Sequence, residues 1–196
     1  MSTLNVTALK HESAGVDNLV LDTSGNATFG GIAKVGSLMN PSGAGSALAM
    51  DTAGRVTMPY QPAFHVYRGA GHVYGNSSRV KVVCNDTVYN AGNHYNTSTG
   101  DFTAPVTGRY LFIANGMSAY NQAADKQLAI HINGVMQNIS NPASNGSDGV
   151  KPFMTMAIVN MSAGDTAYFS FYSNNSSDYL YAAGGVWNGF CGHLIG

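Results

Sequence analysis

Apolar and polar residues alternate with a period of two in many short segments of the chain after Pro62. This alternation is typical of β-strands, in which successive side chains point to opposite faces of a sheet. Turn-forming clusters such as NTSTGD at 96–101 separate the segments, and no segment keeps a helical period over three turns. The pattern predicts an all-β fold of about eight to ten short strands, as in a sandwich, jelly roll or barrel. The alternating apolar positions are Phe64, Val66; Val80, Val82; Tyr110, Phe112, Ala114; Leu128, Ile130, Ile132; Met154, Met156, Ile158; and Phe190, Gly192, Leu194.

The first third of the chain contains a short sequence repeat. LVLDTSGNATF at 19–29 and LAMDTAGRVTM at 48–58 share Leu, Asp, Thr, Gly and Thr in register, and each predicts a β-hairpin whose turn starts at Asp and ends at Gly. Because an isolated hairpin of this size is marginally stable in water, we expect three chains to pack their hairpins together as a shaft. The packing residues would be Leu19, Leu21 and Phe29 in one layer and Leu48, Met50 and Met58 in the next.

Aromatic residues divide the chain into two predicted regions. Ten of the eleven Tyr, seven of the eight Phe and the single Trp follow residue 60, so the hydrophobic core is expected there. The sequence NPSGAGSALA at 40–49 has the composition of a loop or linker. We therefore predict a β-rich N-terminal segment over 1–60 and a single core domain over 61–196.

Composition and charge exclude several classes of partner. The formal net charge is −1, with only nine basic residues, so no basic surface for nucleic acid is expected. No apolar run approaches the roughly 20 residues of a membrane helix, and the N-terminus lacks a signal-peptide pattern, so synthesis in a cytoplasm is expected. The two cysteines, Cys84 and Cys191, lie in apolar strand-like runs and are predicted to be free thiols.

The residues that usually perform catalysis or bind metals are sparse. Glycan hydrolysis usually needs two carboxylates, yet the chain has one Glu, and its Asp residues lie mostly in turn contexts. The six His residues and two Cys residues show no metal-ligand spacing, and His131 and His193 fit structural roles in strands. We therefore predict no catalytic residue, metal or cofactor.

Two loops have the composition of a sugar-binding surface. SNNSSDYLYAAGG at 173–185 and NPASNGSDG at 141–149 combine amides, hydroxyls and Tyr rings, groups that can bind sugar hydroxyls and ring faces. Ordinary solvated turns share this composition, so both interpretations stay open. The predicted glycan contacts are Asn175, Asp178, Tyr179 and Tyr181.

Several ordered motifs resemble the C1q-like globular head family, within the wider C1q and TNF-like superfamily. The first is VYNAGNHYNTSTGDFTAPVTGRYLF at 88–112, followed in order by INGV at 132–135, MSAGDTAYFSF at 161–171 and WNGFCGHLI at 187–195. The resemblance covers about 62–196 and implies a ten-stranded jelly roll that assembles as a homotrimer. Residues implied to form its core or trimer interface are Tyr95, Phe102, Tyr110, Phe112, Phe190 and Leu194.

The segment TALKHESAGVDNLVLDTSGNATFGG at 7–31 is similar to the start of tail-fibre and other structural proteins of marine bacteriophages. Together the two resemblances imply a trimeric virion fibre or knob, made in the host cytoplasm and displayed on the particle, that helps attachment to host polysaccharide or lipopolysaccharide. Its N-terminal segment would bind other virion proteins of the capsid or tail. Two alternatives stay open: a capsid decoration or cement protein, and a tail component that joins other virion proteins.

Overall fold

The computed structural model describes residues 8–9, 19–21, 23–24, 27–29, 37–39, 46–75, 77–119, 125–141, 151–182 and 187–196. For most residues before 48 the description is limited to the backbone. The chain divides into two compact units, residues 1–58 and 59–196. Within the described ranges every regular element is a β-strand, and no helix there is long and apolar enough to cross a membrane.

The first unit contains two small antiparallel sheets of three strands each. In sequence order they are β1-β2-β3 and β4-β5-β6. Each contains one of the predicted hairpins, β2 with β3 and β5 with β6, and each gains a third strand that the repeat did not indicate. The strands are β1 (Ala8–Leu9), β2 (Leu19–Leu21), β3 (Ala27–Phe29), β4 (Ser37–Met39), β5 (Ser46–Met50) and β6 (Val56–Thr57).

The turn of the second hairpin depends on Asp51. Its Oδ1 accepts hydrogen bonds from the backbone N–H groups of Ala53 and Arg55, each at 2.9 Å, and Gly54 closes the turn with a φ of +80°. The hydrogen bond from the Arg55 backbone is the main reason that the pKa of the Asp51 carboxyl is lowered. The predicted linker over 40–49 was wrong for its last four residues, because β5 begins at Ser46 and pairs with β4.

The predicted shaft residues are described only in part. Leu48 is half-buried, whereas Met50 and Met58 are 51% and 55% exposed in the single chain. The side chains of Leu19, Leu21 and Phe29 lie outside the part of the chain that the structure describes, so their packing stays a prediction. The two exposed Met side chains leave apolar surface without cover in one chain.

The second unit is a jelly roll of two facing sheets, which confirms the predicted fold class. The seven-stranded sheet has the order β10-β7-β19-β13-β18-β8 with β16 on the other side of β13, and the six-stranded sheet has the order β11-β12-β17-β14-β15 with β9 beside β17. There are more strands than ten because several short pairings, such as β8 with β18, count separately. The strands are β7 (Ala63–Tyr67), β8 (Val73–Tyr74), β9 (Val80–Lys81), β10 (Asp86–Ala91), β11 (Tyr95–Asn96), β12 (Asp101–Thr103), β13 (Gly108–Ala119), β14 (Lys126–Ile132), β15 (Val135–Ser140), β16 (Lys151–Met161), β17 (Thr166–Ser173), β18 (Tyr179–Leu180) and β19 (Gly189–Leu194).

Aromatic rings from both sheets fill the space between them. Phe64 of β7 lies 5.0 Å from Phe102 of β12 and 5.1 Å from Phe190 of β19, measured between ring centroids. Gly192 is required beside this cluster, because a Cβ there would come within 2.5 Å of Phe64 and 2.7 Å of Phe112. The core therefore joins the two sheets at the positions where the sequence shows its strongest period of two.

The six family-signature residues belong to this core. Tyr95, Phe102, Tyr110, Phe112 and Phe190 are at most 3% exposed in a single chain, and Leu194 is half-buried against the same cluster. The five aromatic side chains present no surface to a second chain. Their role is to hold the two sheets together, and an interface must use other residues.

The two cysteines are free thiols with different surroundings. Cys84 is fully buried, and burial raises its pKa to about 12. Cys191 is half-buried on the outward face of the seven-stranded sheet, where burial also raises the pKa of its thiol. The Tyr95 hydroxyl accepts a hydrogen bond of 3.1 Å from the Cys84 backbone N–H, which helps to hold the backbone at Cys84 in place.

Candidate functional site: an apolar sheet face

Strand β16 has apolar side chains on the face that points away from the core. Met154, Met156 and Ile158 are 54%, 47% and 62% exposed, while Thr155 and Ala157 between them are buried. The sequence suggested that the first three form the core side of a strand, and the structure corrects this. Both alternating sets are largely apolar, so the period of two alone could not show which set faces inward.

The apolar surface continues from β16 across the neighbouring strands. In one row of paired residues Met156 lies opposite Ile113, Ile113 opposite Cys191, and Cys191 opposite His65. The row ends at Tyr89 on β10, opposite His65. These five side chains lie on the same outward face, because paired residues in adjacent antiparallel strands point to the same side.

A second row runs beside the first, from Ile158 to Leu111 to His193 to Ala63. The two rows are joined at the far end by a hydrogen bond of 2.9 Å between the Tyr89 hydroxyl and His193 Nε2. Burial is the main reason that the pKa of Tyr89 is raised. The face thus changes from aliphatic side chains at β16 to aromatic, hydrogen-bonded side chains at β10.

The edge strand β15 of the six-stranded sheet also has exposed apolar side chains, and Met136 pairs with His131 on the outward face of that sheet. Val135, Met136 and Ile139 are 64%, 47% and 41% exposed. The Asn138 amide donates a hydrogen bond of 2.6 Å to the Met156 backbone oxygen, which holds β15 beside β16. An exposed edge strand with apolar side chains can pair with another chain, and monomeric proteins usually protect such edges.

The outward face of the six-stranded sheet has a different character. Lys81 Nζ lies 2.7 Å from Asp101 Oδ1 and 4.3 Å from the centroid of the Tyr168 ring, whose other neighbour is His131 at 4.7 Å. His131 Nε2 also lies 2.8 Å from Ser170 Oγ. Burial is the main reason that the pKa of His131 is lowered. Lys81, Asp101 and His131 on this face thus each have a polar partner within the chain.

Two of the four predicted glycan contacts are structural residues. Asp178 is 0% exposed, accepts a hydrogen bond of 2.7 Å from Ser173 Oγ and lies 3.7 Å from Lys126 Nζ. The expectation that Asp178 contacts a glycan is therefore corrected, because its carboxylate belongs to a buried ion pair. Asn175 stabilises the adjacent turn, since its Oδ1 accepts a hydrogen bond of 2.8 Å from the Ser177 N–H.

The other two, Tyr179 and Tyr181, lie together in an aromatic group at the end of the seven-stranded sheet. Their rings stack on His72, with centroid distances of 4.3 Å and 5.4 Å. Trp187 meets Tyr181 edge to face at 6.0 Å. Sequence reasoning missed His72 and Trp187, since they come from separate parts of the chain and no local motif connects them. Loop 142–149 lies outside the described residues.

The described part of the chain contains no group of three or more His, Cys, Asp or Glu side chains that could hold a metal ion. Its distinctive features are instead the apolar outward face formed by β16, β13, β19 and β7 of the seven-stranded sheet, and the aromatic group beside it. A contiguous apolar face is suited to association with another protein surface.

Comparisons with known proteins agree with this architecture. The family model described as C1q domain matches residues 63–195. Among solved structures, the globular domain of zebrafish complement 1qA protein is similar with a TM-score of 0.52 and 20% sequence identity, covering 69% of this chain and 98% of that chain. At this identity the structural likeness shows the fold. Comparison with curated proteins gives no match.

Proposed function

The chain belongs to the C1q domain family, and from this premise we propose that it forms a trimeric head on a bacteriophage virion, where it contributes to attachment to the host surface. C1q domains commonly assemble as homotrimers and are typically structural or recognition modules rather than enzymes. The observation that carries the proposal is the continuous apolar face of the seven-stranded sheet. A monomer would leave this face in water.

The apolar face has two dissimilar parts that can cover one another. One part is the aliphatic edge at Met156 and Ile158, and the other is the Tyr89 and His193 end of the same sheet. When the edge of one chain packs on the aromatic end of the next, the contact is head-to-tail, and three such contacts close a ring. Full burial of an exposed aliphatic side chain contributes about 1.5–3 kcal/mol, and Met156 and Ile158 are about half exposed in one chain, so each would contribute roughly half of that on association.

The first unit fits the same trimeric arrangement. Its sheets have three short strands each, and Met50, Val56 and Met58 are all more than half exposed in one chain. Such small sheets gain little stability alone, but three copies side by side would bury these side chains. We assign this unit to a shaft that also binds other virion proteins.

The viral part of the proposal rests on the resemblance of residues 7–31 to marine bacteriophage structural proteins. The location would be the virion, with the jelly roll displayed outward. Host polysaccharide or lipopolysaccharide is the proposed partner, because several equivalent heads on one particle would multiply weak sugar contacts through valency. A decoration protein of the shell would use the same trimer for a different purpose.

An adsorption experiment tests this function. Purified full-length protein is mixed with host cells before virions of the encoding phage are added, and adsorbed virions are counted. We expect the protein to reduce adsorption, and antibodies against it to label fibres on intact virions. Unchanged adsorption combined with label spread over the shell would contradict the attachment role and favour the decoration role.

A further inference from the structure

The single tryptophan of the chain, Trp187, lies on the surface although large aromatic side chains usually pack inside. It is 42% exposed and lies at the end of the seven-stranded sheet where β19 begins. The backbone that carries it is firmly held. Asn115 Nδ2 donates to the Trp187 backbone oxygen at 3.3 Å, and the buried Asn188 side chain accepts from Met117 N at 3.0 Å and donates to Tyr181 O at 2.9 Å.

Neighbouring rings support the indole from one side. Tyr181 meets it edge to face, with an interplanar angle of 84°, and Tyr181 in turn stacks on His72 at an angle of 28°. The His72 ring is fixed because its Nδ1 accepts a hydrogen bond of 2.9 Å from Ala182 N. The aromatic group is thus preorganised, which lowers the entropic cost of binding a ligand against it.

A pocket of about 430 Å³ opens beside the indole. Its rim is formed by Trp187, Asn115, Met117, Pro152 and Met154. This volume lies within the ~300–1,000 Å³ that is usual for small-molecule sites. Phe153 and Gly116 also line the pocket, so its lining is mainly apolar with one amide.

The side chains that line the pocket indicate which class of ligand it can bind. None of the residues that line the pocket carries a charge. Asn115 uses its Nδ2 to bind the Trp187 backbone, which leaves Oδ1 as an acceptor for a hydroxyl group. An indole face, apolar walls and one amide together suit a pyranose ring, which has an apolar C–H face and hydroxyl groups at its edge. An anionic sugar would lose solvation of its charge without gaining a cationic partner from this lining.

We propose that the pocket beside Trp187 binds a neutral pyranose unit of a surface polysaccharide, with Tyr181 as a positioning residue for the indole and Asn115 as a hydrogen-bonding residue. This inference rests on the proposed attachment function and names the site that would perform it. In a trimer the site occurs three times, so that weak binding at each site gives stronger binding to a polymer.

Tryptophan fluorescence gives a direct readout, because Trp187 is the only tryptophan in the chain. The full-length protein is titrated with methyl glycosides of glucose, galactose and mannose and with N-acetylglucosamine, up to their solubility limits, and with glucuronate as the anionic comparison. We expect a saturable change in the emission of Trp187 with at least one neutral sugar and none with glucuronate. Tyr181→Ala and Asn115→Ala should weaken this binding at least about tenfold, whereas Tyr60→Ala, a matched change at a 67% exposed ring in a loop, should leave it unchanged.

The outcomes separate this inference from the function on which it rests. If the protein blocks phage adsorption but no neutral sugar changes Trp187 emission, or if Trp187→Ala blocks adsorption as well as the original chain, the site is wrong and the function stands. If a sugar binds at Trp187 but adsorption is unaffected, the site stands and the attachment function fails. If acrylamide quenches Trp187 only after the trimer is dissociated, the pocket lies at a subunit contact and the sugar site is overturned.

Discussion

The two sheets of the jelly roll have the same alternation of side chains, yet their outward faces differ in composition and in pairing. On the six-stranded sheet Lys81 pairs with Asp101 and lies over Tyr168, and His131 bonds Ser170. On the seven-stranded sheet the corresponding positions on β16 are Met154, Met156 and Ile158, all largely exposed. The first face pairs these polar side chains within the chain and has exposed apolar residues on its edge strand β15, whereas the second has a row of apolar side chains on β16 that one chain leaves uncovered.

In the proposed trimer, this difference assigns the seven-stranded sheet to the contact between chains and the six-stranded sheet to the face in water. A face whose charged side chains pair within the chain has little free energy to gain from burial against a partner, because surface ion pairs contribute little to stability. An aliphatic face gains about 25 cal/mol for each Å² that it buries. The asymmetry between the faces is therefore physical support for association through the seven-stranded sheet.

The largest change in stability is expected from substitutions at two neighbouring residues on β13, one that faces the core and one that faces outward. Phe112 is fully buried in the core, and Ile113 is half-buried on the outward face. Phe112→Ala should lower the free energy of unfolding by about 3–5 kcal/mol at any protein concentration. Ile113→Ala should lower the melting temperature mainly at low concentration, where subunits dissociate. If thermal melts showed that both variants lose the same stability at every protein concentration, the proposed difference between the core side and the outward side of β13 would be contradicted.

Thiol labelling of the two cysteines should show a smaller difference between the core and the outward face of the seven-stranded sheet. Cys84 in the core should not react with a thiol reagent at neutral pH, because its thiol is buried and its pKa is about 12. Cys191 lies in the row between Ile113 and His65, so it should be protected in the assembled protein and labelled after dissociation. The measurement is the number of labelled thiols per chain in Cys84→Ser and Cys191→Ser variants. Equal labelling of Cys191 before and after dissociation would place the interface elsewhere.

Acidification tests the polar face. His131 has a pKa below 6.5 in the folded chain because burial disfavours its charged form. The unfolded chain therefore binds a proton more readily, and the free energy of unfolding should fall as the pH decreases below about 6.5 until the folded pKa is reached. Chemical denaturation at several pH values should show this slope in the original chain and a weaker slope in His131→Gln. An identical slope in both proteins would exclude His131 as its source.

The smallest effect is expected at the Lys81–Asp101 ion pair. Both side chains are partly exposed, at 34% and 25%, so solvent screens the interaction. Lys81→Gln should change the free energy of unfolding by less than about 1 kcal/mol and should leave the oligomeric mass unchanged. A loss of assembly in this variant would show that the six-stranded sheet also meets another chain.

The sequence was sufficient to predict the sheets and the core of this fold. The period of two places Phe64, Tyr110 and Phe112 on one side of their strands, and the concentration of aromatic residues after residue 60 indicates that this side forms the core. The Asp51 turn was also predictable, because Asp at the first position and Gly at the last position of a four-residue turn are typical of turn sequences.

The surfaces were harder to predict because they depend on residues that are distant in the chain. Met156 looks like a core residue until Ala157 beside it is seen to fill that position. Asp178 looks like an exposed loop residue until Lys126 meets it inside the unit. The aromatic neighbours of Trp187 are brought together only in the folded chain, because His72 and Tyr181 meet through the pairing of β8 with β18. None of these contacts leaves a pattern in a short window of sequence.

The central claim is that the apolar face of the seven-stranded sheet holds three chains together. Light scattering after size-exclusion chromatography should give three times the chain mass for the full-length protein. A double variant, Met156→Asp with Ile158→Asp, should give one chain mass, while Val106→Asp, a matched change at an exposed apolar residue off the sheets, should remain trimeric. A monomeric original chain, or a double variant that stays trimeric, would contradict the account.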